Sequence, residues 1–244
     1  MLKKEFTESI RTKKFLIIMC VFALFGIMNP AVAKLTPLLM ETLQSSGMGI
    51  VITDMTVDAT MSWQQFFKNM PMALIVVVIM YGGIFTSEYQ RHTLTLVVTK
   101  GLARWKIVAS KSVLLVTIWT VGYWMNFGIT YFYTGFYWDN SIMDNLLFSA
   151  VCYWLFGLFI MAMLVFFSTL ANSSGLVLLG VGMVYCLMIL ASMYEKIGKY
   201  LPTKLGLSMT ADIVGDYIPA IIVTAGLIIA AFVSGVAIFN KKML

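Results

Sequence analysis

Six apolar runs divide the 244-residue chain, each within or close to the length of one bilayer-crossing helix. They are Phe15–Ala33, Met70–Thr86, Ser112–Tyr137, Asn145–Leu170, Gly175–Tyr194 and Tyr217–Phe239. About 20 apolar residues in helical form cross the hydrocarbon layer, and tilt absorbs longer runs. Composition closes off the alternatives. With 60% hydrophobic and 11% charged residues, the chain falls far short of the ~25% charge a water-soluble domain carries. It is also too apolar for disorder. The expectation is an all-α polytopic membrane protein, one transmembrane domain over residues 1–244, with little room for a soluble enzymatic domain.

Charge sets the expected orientation. With the N-terminus inside, the inner segments hold Lys3, Lys4, Arg11, Lys13, Lys14, Arg91, Lys100, Arg104, Lys106, Lys111, Lys241 and Lys242, against only Glu5, Glu8 and Glu88. The outer segments hold Lys34, Lys68, Lys196, Lys199 and Lys204 with the other eight acids. The excess of Lys and Arg marks the cytoplasmic side, so both termini are expected there. The net charge of +6 is then an orientation signal, not a nucleic-acid footprint. On these boundaries no charge falls inside a span.

The basic start, the apolar run and Ala31-Val32-Ala33 resemble a signal peptide. The run exceeds the usual 7–15-residue core, however, and reads as a retained helix. Before it, Leu2, Phe6 and Ile10 recur every four residues among charges, the spacing of an amphipathic helix lying in the inner headgroup layer. Two outer segments are long. Lys34–Asn69 holds Pro37 and a leucine-rich patch, while Glu195–Asp216 holds Pro202 and scattered apolar residues. Short outer-leaflet or re-entrant helices suit both.

Cys20, Cys152 and Cys186 lie in apolar runs without C-x-x-C spacing and read as small buried hydrophobes. His92 is the single histidine, four residues after Glu88. A metal site needs three or four ligands, so no metal is expected. Ion-coupled carriers normally need ionisable groups within the membrane, and an intramembrane hydrolase needs a nucleophile with a base or metal. Neither set stands out.

The inner segment between the second and third runs carries the most information. It places an acid at the membrane exit (Glu88), then Arg91, His92 and Thr93, an apolar piece from Leu94 to Val98, a Lys100-Gly101 turn, and a basic return through Arg104, Lys106 and Lys111. Here the chain resembles the permease subunits of type-2 ABC transporters. Glu88, Thr93, Arg104 and Lys111 stand at that family's spacing. The ends Glu5…Arg11-Thr-Lys-Lys-Phe15 and Phe239-Asn-Lys-Lys, and the break at Asn172-Ser-Ser174, resemble it too. His92 replaces a usual glycine and Lys100-Gly101 stands near a usual proline, departures that bear on the shape of the turn.

The resemblance implies six spans, an N-terminal elbow helix, and a coupling helix within 88–111 that docks on a separate ATPase. Glu88, Arg91, Thr93, Leu94, Lys100, Gly101, Arg104 and Lys111 would form the coupling segment. ATP and Mg would bind on two copies of the ATPase, since this chain has no G-x-x-x-x-G-K-[ST] loop of its own. A second permease, a homodimer mate or a sister chain, would complete the complex in the cytoplasmic membrane of a prokaryote. Membrane lipids are the remaining expected partner. The implied task is export of a hydrophobic or amphipathic compound such as a peptide, toxin, antibiotic or drug. The alternatives are a non-transporting anchor or sensor subunit and an ATP-independent secondary transporter.

Two further patterns need partners. Trp119, Tyr123, Phe127 and Tyr131 form a stripe on the third run that suits helix packing, the alternative being a path for greasy cargo. Gly226, Ala230 and Ser234 place small residues at every fourth position of the sixth run, which suits close helix approach.

Overall fold

The computed structural model describes residues 1–45, 58–90, 103–140, 145–207 and 214–241. They form ten α-helices: α1 (Leu2–Arg11), α2 (Lys14–Ser45), α3 (Ala59–Tyr81), α4 (Thr86–Gln90), α5 (Arg104–Tyr137), α6 (Leu146–Leu170), α7 (Ser174–Ser192), α8 (Glu195–Gly198), α9 (Pro202–Gly206) and α10 (Ile218–Lys241). No strand occurs among the described residues. Six helices are long and apolar enough to cross a membrane, the second of them continuing from α3 through α4. The all-α, six-helix expectation is met.

Three boundaries differ from the sequence expectation, each for a local reason. Helix α2 runs through Pro30 and Pro37 to Ser45, so most of the expected outer segment 34–69 is helical. Helix α3 starts at Ala59, where the Asp58 carboxylate accepts from the Thr60 amide at 2.9 Å, an ordinary N-cap. The stretch gained carries Trp63, Phe66 and Phe67, which lead at helical spacing into Met70, all buried. Helix α5 starts at Arg104 instead of Ser112. Its buried positions 107, 108, 111, 114, 115 and 118 form one stripe, the apolar-face period of a helix, and Lys111 occupies one of them. Lys111 and Glu88 therefore lie within helices long and apolar enough to cross a membrane, as Lys34 and Lys68 also do, where the sequence boundaries placed them in connecting segments.

The helices form two groups. In the first, α2 packs along α3 and α5; in the second, α6 lies along α10 and also contacts α7 and α9. Helices α5 and α6 join the groups. A bulky side chain fixes that junction: the Trp119 ring occupies the space where a Cβ on Gly157 would stand. Glycine lets α6 approach the indole, and Trp119 donates to the Trp154 carbonyl at 3.0 Å. In the segment after α7, Pro202, Thr203 and Leu205 of α9 are buried. Gly206 lies beside the Phe156 ring, on the third turn of α6. This stretch folds back along the bundle.

A polar seam runs through the first group. Pro30 has no amide to offer the Gly26 carbonyl one turn earlier. The Thr130 hydroxyl of α5 donates to that carbonyl at 3.3 Å and accepts from Asn29 Nδ2 at 3.0 Å. Asn69 Nδ2 in turn donates to Asn29 Oδ1 at 2.8 Å, and Asn126 Nδ2 donates to the Phe22 carbonyl at 2.7 Å. In a bilayer, a backbone group freed by proline must find a partner within the protein. Here the neighbouring helix supplies it.

Candidate functional site

The 88–111 segment leaves and re-enters the bundle through a buried ionic cluster. Lys111 Nζ lies 3.0 Å from Glu5 Oε2 and 3.1 Å from Glu88 Oε2, with 2% of its side chain exposed. Lys4 Nζ approaches Glu88 Oε1 at 3.5 Å from a half-exposed position. The four members come from three parts of the chain. Glu5 and Lys4 sit on α1, Glu88 on α4 and Lys111 on α5. The Lys111 ammonium also lies 5.4 Å from the Phe85 ring centroid. Beside the cluster the Ser9 and Tyr81 hydroxyls share a hydrogen bond. A polar cavity of ≈ 60 Å³ lies between Glu5, Ser9, Tyr81, Ser87, Glu88 and Lys111.

Helix α1 is amphipathic in an informative register. Glu5 and Ser9 face the bundle and are buried, while Leu2 and Ile10 are exposed. Leu2 and Ile10 thus point away from the protein, Phe6 packs partly against its core, and the acid points into it. Burial pushes the Glu5 carboxyl above the ordinary glutamate range, against the opposing pull of the Lys111 charge. Two carboxylates converge on one buried lysine. Removing a partner from such a cluster strands a charge in low dielectric.

The helix terminus at Phe239 pins both stems of the segment. On the outgoing side the Phe85 and Tyr89 rings lie 5.6 and 6.3 Å from Phe239, which is fully buried. On the returning side Arg104 Nη1 donates to the Phe239 and Asn240 carbonyls at 3.4 and 3.0 Å. A cation on the last carbonyls of α10 also complements the negative end of its dipole. Of the residues singled out in the sequence, the structure thus brings Glu88 and Lys111 into contact and seats Arg104 on the end of α10. Arg91, Thr93, Leu94, Lys100 and Gly101, with His92, lie outside the described residues. Sequence reasoning missed Glu5 as the partner of Lys111 and Phe239 as the common seat. Their one signal was position: each lies in the terminal segments that resemble the family's ends.

The aromatic stripe lies within the subunit. Trp119 and Tyr123 are fully buried, and Tyr123 donates to the Ala150 carbonyl at 2.7 Å. Phe127 packs between Trp63 and Phe66, at centroid distances of 5.2 and 5.9 Å, and Tyr131 is 44% exposed. In place of a path along this stripe, an apolar cavity of ≈ 250 Å³ lies between α3, α6 and α7. Leu74, Val78, Tyr153, Phe156, Val181 and Tyr185 line it. Tyr153 stacks on Tyr123 at 6.2 Å, so the stripe stands one layer behind the cavity wall. The small-residue series on α10 faces outward: nothing lies within 4 Å of a Cβ built on Gly226.

Among the described residues no group of three or more His, Cys, Asp or Glu is placed to hold a metal ion. The model of the ABC-2 family transporter proteins matches residues 1–211. No curated protein matches the sequence. A match over most of the chain, in a protein with six helices long and apolar enough to cross a membrane, shows that this protein belongs to the ABC-2 transporter family, as a membrane-spanning permease subunit of an ABC transporter.

Proposed function

We propose that the subunit exports a hydrophobic or amphipathic compound, driven by ATP hydrolysed on a partner. Two permeases, alike or sister chains, stand over two ATPase subunits carrying ATP and Mg. Residues 88–111 form the coupling segment, and both termini lie on the cytoplasmic side. The observation that carries this reading is the anchoring of the segment at both stems. Glu88 and Lys111 are tied to α1, and Arg104 is tied to the end of α10. A push on residues between these stems acts on α1, α5 and α10 together, not on a slack loop. ATP occupancy can bias a two-state bundle only through such a differential contact.

The cavity between α3, α6 and α7 supports an apolar cargo, with the tyrosine rings of 153 and 185 as its amphipathic part. The bias of Lys and Arg toward the Glu88–Lys111 end supports the orientation. The test is co-expression with the ATPase encoded by a neighbouring gene. A stable complex with two ATPase copies is expected, and Glu88→Gln or Arg104→Gln uncouples turnover from cargo without abolishing basal hydrolysis. Absence of any bound ATPase overturns the reading. Gly182→Phe, which projects a ring into the cavity, is expected to lower cargo-stimulated turnover at least tenfold.

A further inference from the structure

A second apolar cavity, of ≈ 260 Å³, lies on the opposite side of α6, between α5, α6 and α10. Its floor is Met161 and Val165, both buried. Its rim is Val116 on α5 and Ile229 on α10, 42% and 65% exposed. The cavity is therefore a slot in the flank of the bundle. The hydroxyl on its wall, Ser112, already donates to the Val108 carbonyl at 2.9 Å. Water held there would lack the two to four polar partners it needs.

The slot has a polar end. Trp105, Ala109, Ser112 and Val116 follow one another on one face of α5, at steps of four, three and four residues. Trp105 is exposed about two turns beyond Ser112, roughly 10 Å along the axis. Lys106 is exposed beside it, its ammonium 5.8 Å from the indole centroid. The Arg104–Asn240 bond brings the start of α5 to the end of α10 and closes this end of the slot. A cation and an indole thus stand above a greasy slot, at a depth that fits within one leaflet of a ~30 Å hydrocarbon layer.

We propose that the α5–α6–α10 slot holds one acyl chain of an anionic phospholipid, with Lys106 receiving its phosphate and Trp105 at its glycerol level. The cargo cavity uses the other face of α6, so this site does not depend on the cargo reading. The bound chain would fill space behind the helix that lines the cargo cavity.

The test is native mass spectrometry of the delipidated full chain titrated with phosphatidylglycerol or phosphatidylcholine. One lipid per chain is expected, with about fivefold preference for phosphatidylglycerol from the one lysine. Ala162→Phe, on the slot wall, is expected to lower retention of both lipids at least tenfold. Lys106→Gln is expected to keep phosphatidylcholine binding while the preference falls below about twofold. Wild-type retention in Ala162→Phe, or an undiminished preference in Lys106→Gln, overturns the proposal. Should Ala162→Phe misfold, Val116→Trp narrows the mouth from an exposed position and reads the same loss. A disulfide-linked dimer formed through Ile229→Cys, with Cys20 and Cys186 replaced by Ser, would assign the slot to a second copy and equally overturn it.

Discussion

Replacing Lys111 by methionine is the sharpest perturbation of the ionic cluster. Methionine keeps the aliphatic stem and removes the ammonium that lies 3.0 and 3.1 Å from the Glu5 and Glu88 carboxylates. Two buried acids then face each other with Lys4, half exposed at 3.5 Å from Glu88, as the nearby cation. Breaking a buried ion pair from one side costs about 3–5 kcal/mol, or roughly 150- to 4,000-fold in an equilibrium. The bundle has a cheap escape: α1 buries only Glu5 and Ser9 fully, so undocking of α1 relieves the strain while α2–α10 stay packed. The assay is modification of a thiol introduced by Ser9→Cys, in a chain with Cys20 and Cys186 replaced by Ser. Lys111→Met is expected to raise the labelling rate at least 100-fold, or to the rate of a fully accessible thiol. Glu5→Gln removes an acid that burial already disfavours and leaves the Lys111–Glu88 pair, so its effect should stay within about fivefold. Labelling within threefold of the parent in Lys111→Met, or equal damage from Glu5→Gln, refutes the reasoning.

The raised pKa of Glu5 carries a sign. The docked state binds the proton more tightly than the undocked state, so docking strengthens as pH falls from 7 toward about 4.5 and levels off below it. The thiol assay, corrected against an accessible reference thiol, should show this slope in the parent and not in Glu5→Gln. Thr130→Val removes the donor to the Gly26 carbonyl and the acceptor for Asn29. A loss of about 1–3 kcal/mol in unfolding free energy is expected. Adding Pro30→Ala, which returns an amide to Gly26, should recover part of it. Gly157→Ala drives a methyl into the buried Trp119 ring and should cost about 1–3 kcal/mol. Gly226→Ala, with open space around it, should be neutral in the same melt.

Much of the architecture was legible because the membrane imposes it. A run of some twenty apolar residues has one low-energy form in hydrocarbon, so six helices could be counted from sequence. Their ends were less legible. Asp58 caps α3 twelve residues before the hydropathy of Met70 begins, since a cap acts through one local hydrogen bond that averaged hydrophobicity does not register. Lys111 posed the same difficulty in reverse: a charge reads as the edge of a span until its partners are seen. The aromatic stripe was visible as a pattern, yet a helical stripe looks the same whether it faces a cavity or a neighbouring helix.

Sequence by itself determined the class and the number of long apolar helices, and singled out the charge pattern between Glu88 and Lys111. These follow from hydropathy and charge order, which are properties of a linear chain. Only the tertiary structure decided that Glu5, 106 positions before Lys111, is its partner. It alone seated both stems of the segment on Phe239, and put the apolar cavity behind Tyr153 instead of along Trp119 and Tyr123. Pairing across such distances depends on which helix faces meet. That is settled by close fits such as Gly157 against Trp119 and by the polar bonds of Thr130, which act only once the helices are side by side.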